Sequence, residues 1–246
     1  MEHKSQSAPK PVGQDYRWRT LGGYGRRAVH VAGIIARYGF SEVLHSVGLG
    51  RLIHRKATEA AEAARGLGGP MRLRLALQEI GPTGIKIGQA LATRSDLLPH
   101  EYVEELRKLQ DAVPPFSFEA ARALLEEDLG QPLESLFAEF DPVPLAAASL
   151  SQVHRARRHD GRDVAVKIQR PEVHMQIEQD LGLLFFVARE AQHYSDWARE
   201  NDVVGWAAEF AHILRTELDF THEASNMDRM RQDLASNEVI VIPRTH

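Results

Sequence analysis

Cysteine is absent from the 246 residues. Without a thiol, a disulfide scaffold, a thiolate metal site and a cysteine nucleophile are all excluded, while the redox compartment stays open. A long hydrophobic run is missing as well. The longest apolar stretch, Ala28 to Leu49, is interrupted by His30, Arg37, Glu42 and His45. That is too polar to span a bilayer unaided. The opening Met1-Glu2-His3-Lys4-Ser5 has no apolar core and does not read as a secretory signal. Zinc-finger spacing, an aromatic ribonucleoprotein motif and a basic helix-turn-helix pair are all missing, so nucleic acid is not an expected partner. Gly66 to Pro70 is glycine-rich but lacks the Gly-Lys-Ser/Thr of a phosphate loop and reads as a linker. What remains is ordinary globular composition, 43% hydrophobic and 26% charged, which excludes wholesale disorder.

The net charge of -4 conceals a division. Up to Leu75 there are 13 Lys/Arg against 5 Asp/Glu, and beyond it 17 against 29. A basic head on an acidic body suggests an anionic partner such as membrane lipid. Residues 1–23 read as a loose tail. From Arg26 to Val47 the apolar residues Val31, Ile34, Ile35, Tyr38, Val43, Leu44 and Val47 recur at helical spacing, with Arg26, Arg27 and Arg37 alongside. Such a stripe suits an in-plane membrane helix or a helix packed on the rest of the fold, and both readings stand. An Ala-rich helix over 52–65 completes a basic extension, 24–70.

Residues 71–140 read as helices with clear punctuation. Gly81-Pro82 starts one, Pro99 opens another, and Ser117 caps a third that closes at Gly130. After Asp141 the period changes. Ser151 to Arg158 and Asp163 to Gln169 alternate as two strands around His159-Asp160-Gly161, a hairpin. Val164, Val166 and Ile168 share one strand face, while Ala165, Lys167 and Gln169 share the other. Helical spacing returns from Glu172 to Tyr194 and from Val203 to about Leu234, and Glu238 to Ile242 reads as a final strand.

Val164-Ala165-Val166-Lys167, a small-residue turn at Ala146-Ala147-Ala148-Ser149 and a later acidic helix match the layout of a protein-kinase small lobe. Each signal is common by itself, and strand lysines and acidic helix faces are mostly just solvated. Their order is not common. Gly81-Pro82-Thr83-Gly84-Ile85-Lys86-Ile87-Gly88-Gln89 precedes Thr93-Arg94-Ser95-Asp96-Leu97-Leu98-Pro99 and Leu109-Gln110-Asp111-Ala112-Val113-Pro114-Pro115. The alanine turn, Val164 to Pro171, and Glu217-Leu218-Asp219-Phe220-Thr221-His222-Glu223-Ala224-Ser225-Asn226 follow. From about Tyr24 onward the chain resembles the ABC1/UbiB/ADCK family of atypical kinase-like proteins, associated with ubiquinone biosynthesis.

The resemblance implies an α+β fold, in which a helical extension packs on a kinase-like small lobe of antiparallel sheet and helices over 141–246. A helical lid spans 71–140 and carries Lys86 and Gln89 of a Lys-x-Gly-Gln motif. It further implies ATP as ligand, with Ala146, Ala147, Ala148 and Ser149 covering phosphates, Ala165 beside adenine and Lys167 on phosphate. Glu223 first, or Glu217, would pair with Lys167, and Asp219 completes a Glu-x-Asp motif. No catalytic-loop Asp and Asn and no metal-binding Asp-Phe-Gly can be assigned, so catalytic residues are not named, the large lobe is absent and the chain reads as a fragment. Magnesium is expected only with the full-length protein. Asp219-Phe220-Thr221 lacks the glycine of that motif, and His222-Glu223-Ala224-Ser225-Asn226 lacks the second histidine of a zinc helix. The remaining histidines are scattered and read as surface or hydrogen-bonded core residues. The expected setting is cytoplasmic, peripheral at a membrane if the head binds anionic lipid. Ubiquinone-biosynthesis proteins are candidate partners, and a non-enzymatic membrane or partner adaptor is the alternative.

Overall fold

Proline and glycine set the corners of the amino-terminal half in the computed structural model, which describes residues 21–46, 66–110, 113–237 and 239–245. Helices α1 (Leu21–Arg37) and α2 (Ser41–Ser46) are separated at Gly39, whose φ of 81° is left-handed. Of the expected stripe, Val31, Ile34 and Ile35 fall on α1 and Val43 and Leu44 on α2, with Tyr38 in the turn between and Val47 outside the described residues. Of the tail expected over 1–23, residues 21–23 instead begin α1, and residues 1–20 and the Ala-rich segment 52–65 lie outside the described residues. Helix α3 (Gly69–Ile80) ends at Gly81, where φ 100° and ψ -151° require glycine, and α4 (Pro82–Leu91) starts at the next residue. Helix α5 (His100–Arg107) follows Pro99 and runs into a 3-10 turn, Lys108–Gln110. In α6 (Phe118–Leu129) the Ser117 hydroxyl accepts the Ala120 N–H at 3.2 Å, and Gly130 closes the helix at φ 65°. A single turn, α7 (Leu133–Leu136), leads into the sheet.

Among the described residues the sheet has four antiparallel strands, β1 (Glu139–Phe140), β2 (Ala146–Ala147), β3 (Ser151–Arg157) and β4 (Asp163–Gln169). Strand β3 takes β4 along one edge, with β1 and β2 in succession along the other. One face is covered. There Gln152, His154, Ala156 and Ile168 are buried, and Ile168 packs with Ala121, Leu125 and Leu133 of α6 and α7. His154 is a hydrogen-bonded core histidine. Its Nε2 accepts from Gln152 Nε2 at 2.8 Å, which leaves Nδ1–H to donate to the Asp141 carbonyl at 2.8 Å.

Helix α8 (Val173–Tyr194) is followed by α9 (Asp196–Glu200), α10 (Val203–Leu218) and α11 (Phe220–Asp233). Ile177 and Leu181 of α8 bury against Ala211, Leu214 and Leu218 of α10. The helical spacing from Val203 to Leu234 proves to be two helices, because the Asp219 carboxylate captures the Thr221 N–H at 2.9 Å and caps a new one. The strand expected over 238–242 is not formed by residues 239–242. A strand needs a ladder partner, and here the N–H groups of Val239 and Ile240 donate instead to Asn237 Oδ1 at 2.9 and 3.1 Å.

For α1 the packed reading holds. Val31, Ala32, Ile34 and Ala36 are buried, and the helix lies against α8, α3 and α2. Of its basic residues Arg27 turns inward, while Arg37 pairs at the surface. Arg27 pairs with Asp180 at 2.6 Å and Arg37 with Glu79 at 2.6 Å, while Arg26 is exposed. Among the described residues no helix is long and apolar enough to cross a membrane.

Candidate nucleotide site and its lid

The uncovered face of the sheet carries Ala146, Ala165 and Lys167 of the residues singled out in the sequence. Side chains alternate along β4, so packing Val166 and Ile168 inward turns Ala165 and Lys167 outward, and both are exposed. The register places Val153 opposite Lys167 and Ala146 opposite Val153. Two strand spacings, roughly 10 Å, therefore separate Ala146 from Lys167 on one face. Beyond Ala146 and Ala147 the chain turns tightly, with the Ala148 N–H donating to the Ser151 carbonyl at 2.8 Å and Ser149 buried.

Lys167 Nζ donates to Glu223 Oε2 of α11 at 2.5 Å and sits 4.6 Å from the centre of the Phe220 ring. Both charged side chains are more than a third exposed, so the pair contributes about 0–1 kcal/mol and acts by orientation. The cap at Asp219 aims Glu223. Its Oδ1 also accepts the Thr221 hydroxyl at 2.5 Å, and these bonds from Thr221 hold the carboxyl below the usual carboxylate range. Asp219 thus works as a helix cap and touches neither lysine. Gln169 ties the same junction down from the strand side, its amide donating to the Leu218 carbonyl.

Lys86 on α4 pairs with Glu217 at the end of α10. A second contact to α10 places the Arg94 guanidinium, just after α4, 4.8 Å from the Trp206 ring centre. Gln89 turns elsewhere, with its amide 3.5 Å from the Leu109 carbonyl inside the lid. Between them, Gly88 is required by packing: a β-carbon there would collide with Leu109 and crowd Leu77.

Sequence reasoning missed the residues that anchor this arrangement. Asp180 of α8, itself buried, receives Arg27 through two nitrogens at 2.6 and 2.9 Å and the Thr83 hydroxyl at 2.7 Å. Arg27 also donates to the Ile80 carbonyl at 2.7 Å. One carboxylate thereby joins α1, α4 and α8. Arg170, three residues after Lys167, donates to the Ala148 carbonyl of the alanine turn at 3.0 Å and to the Pro114 carbonyl at 2.7 Å. No local pattern marks either residue, because each meets partners distant in sequence.

The Lys167–Glu223 pair lies on the sheet face that also carries Ala146 and Ala165. The description of an ABC1 atypical kinase-like domain matches residues 108–246, more than half of the chain. The chain belongs to the ABC1 family. It is 46% identical over 170 residues to a Synechocystis sp. protein described as "Uncharacterized protein sll1770", covering 69% of this chain and 29% of that one. It is 44% identical over 172 residues to a "Probable protein kinase UbiB" of Marinobacter nauticus, covering 70% and 31%. With the protein of that description from Xylella fastidiosa (strain 9a5c) it shares 40% over 227 residues, 88% and 40%. The chain therefore spans between 29% and 40% of the length of these ABC1 relatives. Among solved structures, the Rv3197–erythromycin complex from Mycobacterium tuberculosis is 28% identical, with a TM-score of 0.47 over 77% of this chain and 47% of that one. The ABC1 fold seen here is α+β, a helical extension packed on a small antiparallel sheet with its helices.

Proposed function

We propose that residues 141–246 bind ATP, as the nucleotide-holding part of an atypical kinase or ATPase that supports ubiquinone biosynthesis. The observation that carries the reading is the Lys167–Glu223 pair at 2.5 Å, on the open sheet face two strand spacings from the alanine turn. A lysine fixed by a carboxylate presents its charge to phosphates without searching rotamers. The exposed methyl group of Ala165, on the same face, leaves room for a flat base. Ala146 to Ser149 would close over the phosphates, with less backbone freedom than a glycine loop provides. Lys86 and Gln89 belong to a lid over 71–140, and the Lys86–Glu217 pair restricts access from that side. This favours ATP hydrolysis or phosphorylation of a small molecule over that of a protein. Magnesium, which the resemblance implies for the full-length protein, finds no cluster of three His, Asp or Glu ligands among the described residues.

The adaptor reading has less to stand on. The apolar stripe of α1 is covered, and Arg27, Arg37 and Arg74 are held by Asp180, Glu79 and Glu105.

Titrating the 246-residue chain with a fluorescent ATP analogue tests the proposal. Lys167→Ala is expected to weaken binding at least about tenfold, the size of one lost charge-assisted contact. Equal affinity of this variant and the parent chain, both folded by circular dichroism, would refute it. The chain alone is expected to show no sustained turnover, and vigorous hydrolysis abolished by Lys167→Ala would overturn that part.

A further inference from the structure

Away from the open sheet face, a cavity of about 630 Å³ lies where the extension, the lid and the lobe meet. That volume falls within the range of small-molecule sites, roughly 300–1,000 Å³. Its walls include Leu75 of α3, Pro82 and Ile85 of α4, Pro114 and Pro171 from two loops, and Tyr38 after α1. These are apolar surfaces, several of them flat rings. The polar groups are unevenly charged. Glu79 on one side is already engaged by Arg37 at 2.6 Å and by the Tyr38 hydroxyl. Arg170 on another side donates, among the described residues, to the carbonyls of Ala148 and Pro114 and lies 5.7 Å from the Phe116 ring centre, neutral partners that leave its charge uncancelled. Among the described residues no carboxylate lies within ion-pair distance of it, and burial pulls its pKa down. A half-buried guanidinium facing an apolar cavity favours an anionic ligand.

We propose that this cavity is an effector site for a small amphipathic monocarboxylic acid, with the carboxylate on Arg170 and the apolar body against Leu75, Ile85 and the prolines. The same guanidinium holds the alanine turn through Ala148 and the loop before α6 through Pro114. A carboxylate taking up Arg170 redistributes those hydrogen bonds, so occupancy shifts the turn that covers the nucleotide. The binding half stands on the cavity alone, and the coupling half rests on the nucleotide reading above.

The test titrates the 246-residue chain with 2-naphthoate and with decanoate, beside their uncharged amides, by calorimetry or ligand-observed NMR. At least one acid is expected to bind about tenfold or more tighter than its amide, as a charge-assisted hydrogen bond allows. The naphthoate and decanoate arms separate an aromatic acid from a fatty acid. Arg170→Gln should erase the preference for acid over amide, and Gln176→Phe, which fills the cavity from α8, should weaken both forms about tenfold or more. Should Gln176→Phe misfold by circular dichroism, Leu75→Phe takes its place. The proposal fails if neither acid binds, if the acids bind no tighter than the amides, or if both variants bind as the parent chain does. Coupling predicts that saturating acid changes affinity for the ATP analogue at least threefold in the parent chain and not in Gln176→Phe. Unchanged affinity there overturns the effector role. Lys167→Ala should keep its acid binding, and a parent chain that binds acid but no nucleotide refutes the nucleotide reading and not the cavity.

Discussion

Asp180 is the residue whose loss tests the architecture most severely. It joins three elements at one buried carboxylate, and its side chain is 4% exposed against 13% for Arg27. Asp180→Asn keeps the shape and removes the charge. Arg27 is then buried without a counter-ion, and one of the two amide positions meets donors from Arg27 or Thr83 head-on. Removing one member of a buried pair costs about 3–5 kcal/mol, mostly because of the charge left behind. For a chain of this size that is a fall in Tm of about 6–20 °C. Urea unfolding followed by circular dichroism measures it, with hydrogen exchange reporting where the protein loosens. Exchange should rise first in α4, since Thr83 is its tie to α8. The double variant Arg27→Met with Asp180→Leu removes both charges together and should recover most of the loss, because an apolar pair of similar volume is often neutral or better. A cost below about 1 kcal/mol for Asp180→Asn would put the pair in the range of solvent-exposed ion pairs and refute the buried clamp. A double variant no better than the single ones would show that packing around Asp180, and not the unpaired charge, sets the cost.

Two further outcomes follow from local geometry. Gly88→Ala drives a methyl group into Leu109 and Leu77, and overpacking of this kind should cost about 1–3 kcal/mol in urea unfolding, whereas no loss would mean that α4 sits further from the 3-10 turn and α3 than described. The Asp160 carboxyl is held down to about 2 by its hydrogen bonds to the Arg162 side chain and backbone. Its folded value lies below the unfolded one, so its contribution is present above the ordinary carboxylate range and is lost as pH falls toward about 2. Carbon-detected NMR should find its titration midpoint near that value, and an ordinary midpoint would dissolve the turn contact.

Much of the fold was legible because it is governed by neighbours in sequence. Ser117 and Gly130 bracket α6 through a cap and a left-handed residue, and Gly81-Pro82 turns one helix into the next, each a rule of a few residues. The hairpin of β3 and β4 is equally local. The Arg27–Asp180 pair spans 153 residues, and nothing around either residue announces it. Val239 to Ile242 misled for the same reason. Alternating apolar residues describe what a strand needs on its faces but not whether a neighbour supplies its ladder, and these backbone donors turn back to Asn237 instead.

The break at Asp219 shows how function can hide in such a gap. On one unbroken helix Glu217 and Glu223, six residues apart, would point about 120° from each other about a common axis. The sequence does hold a signal for the break, since Asp219 followed two residues later by Thr221 is a capping arrangement. The periodicity on either side obscures it. By ending α10 at Leu218 and starting α11 at Phe220, the cap frees the two carboxylates from a shared axis. Glu217 then serves Lys86 of the lid while Glu223 serves Lys167 of the sheet. A residue assigned to the motif as an acid therefore acts through its position in the backbone. The separation of the Lys86 contact from the Lys167 contact depends on Asp219 remaining a cap.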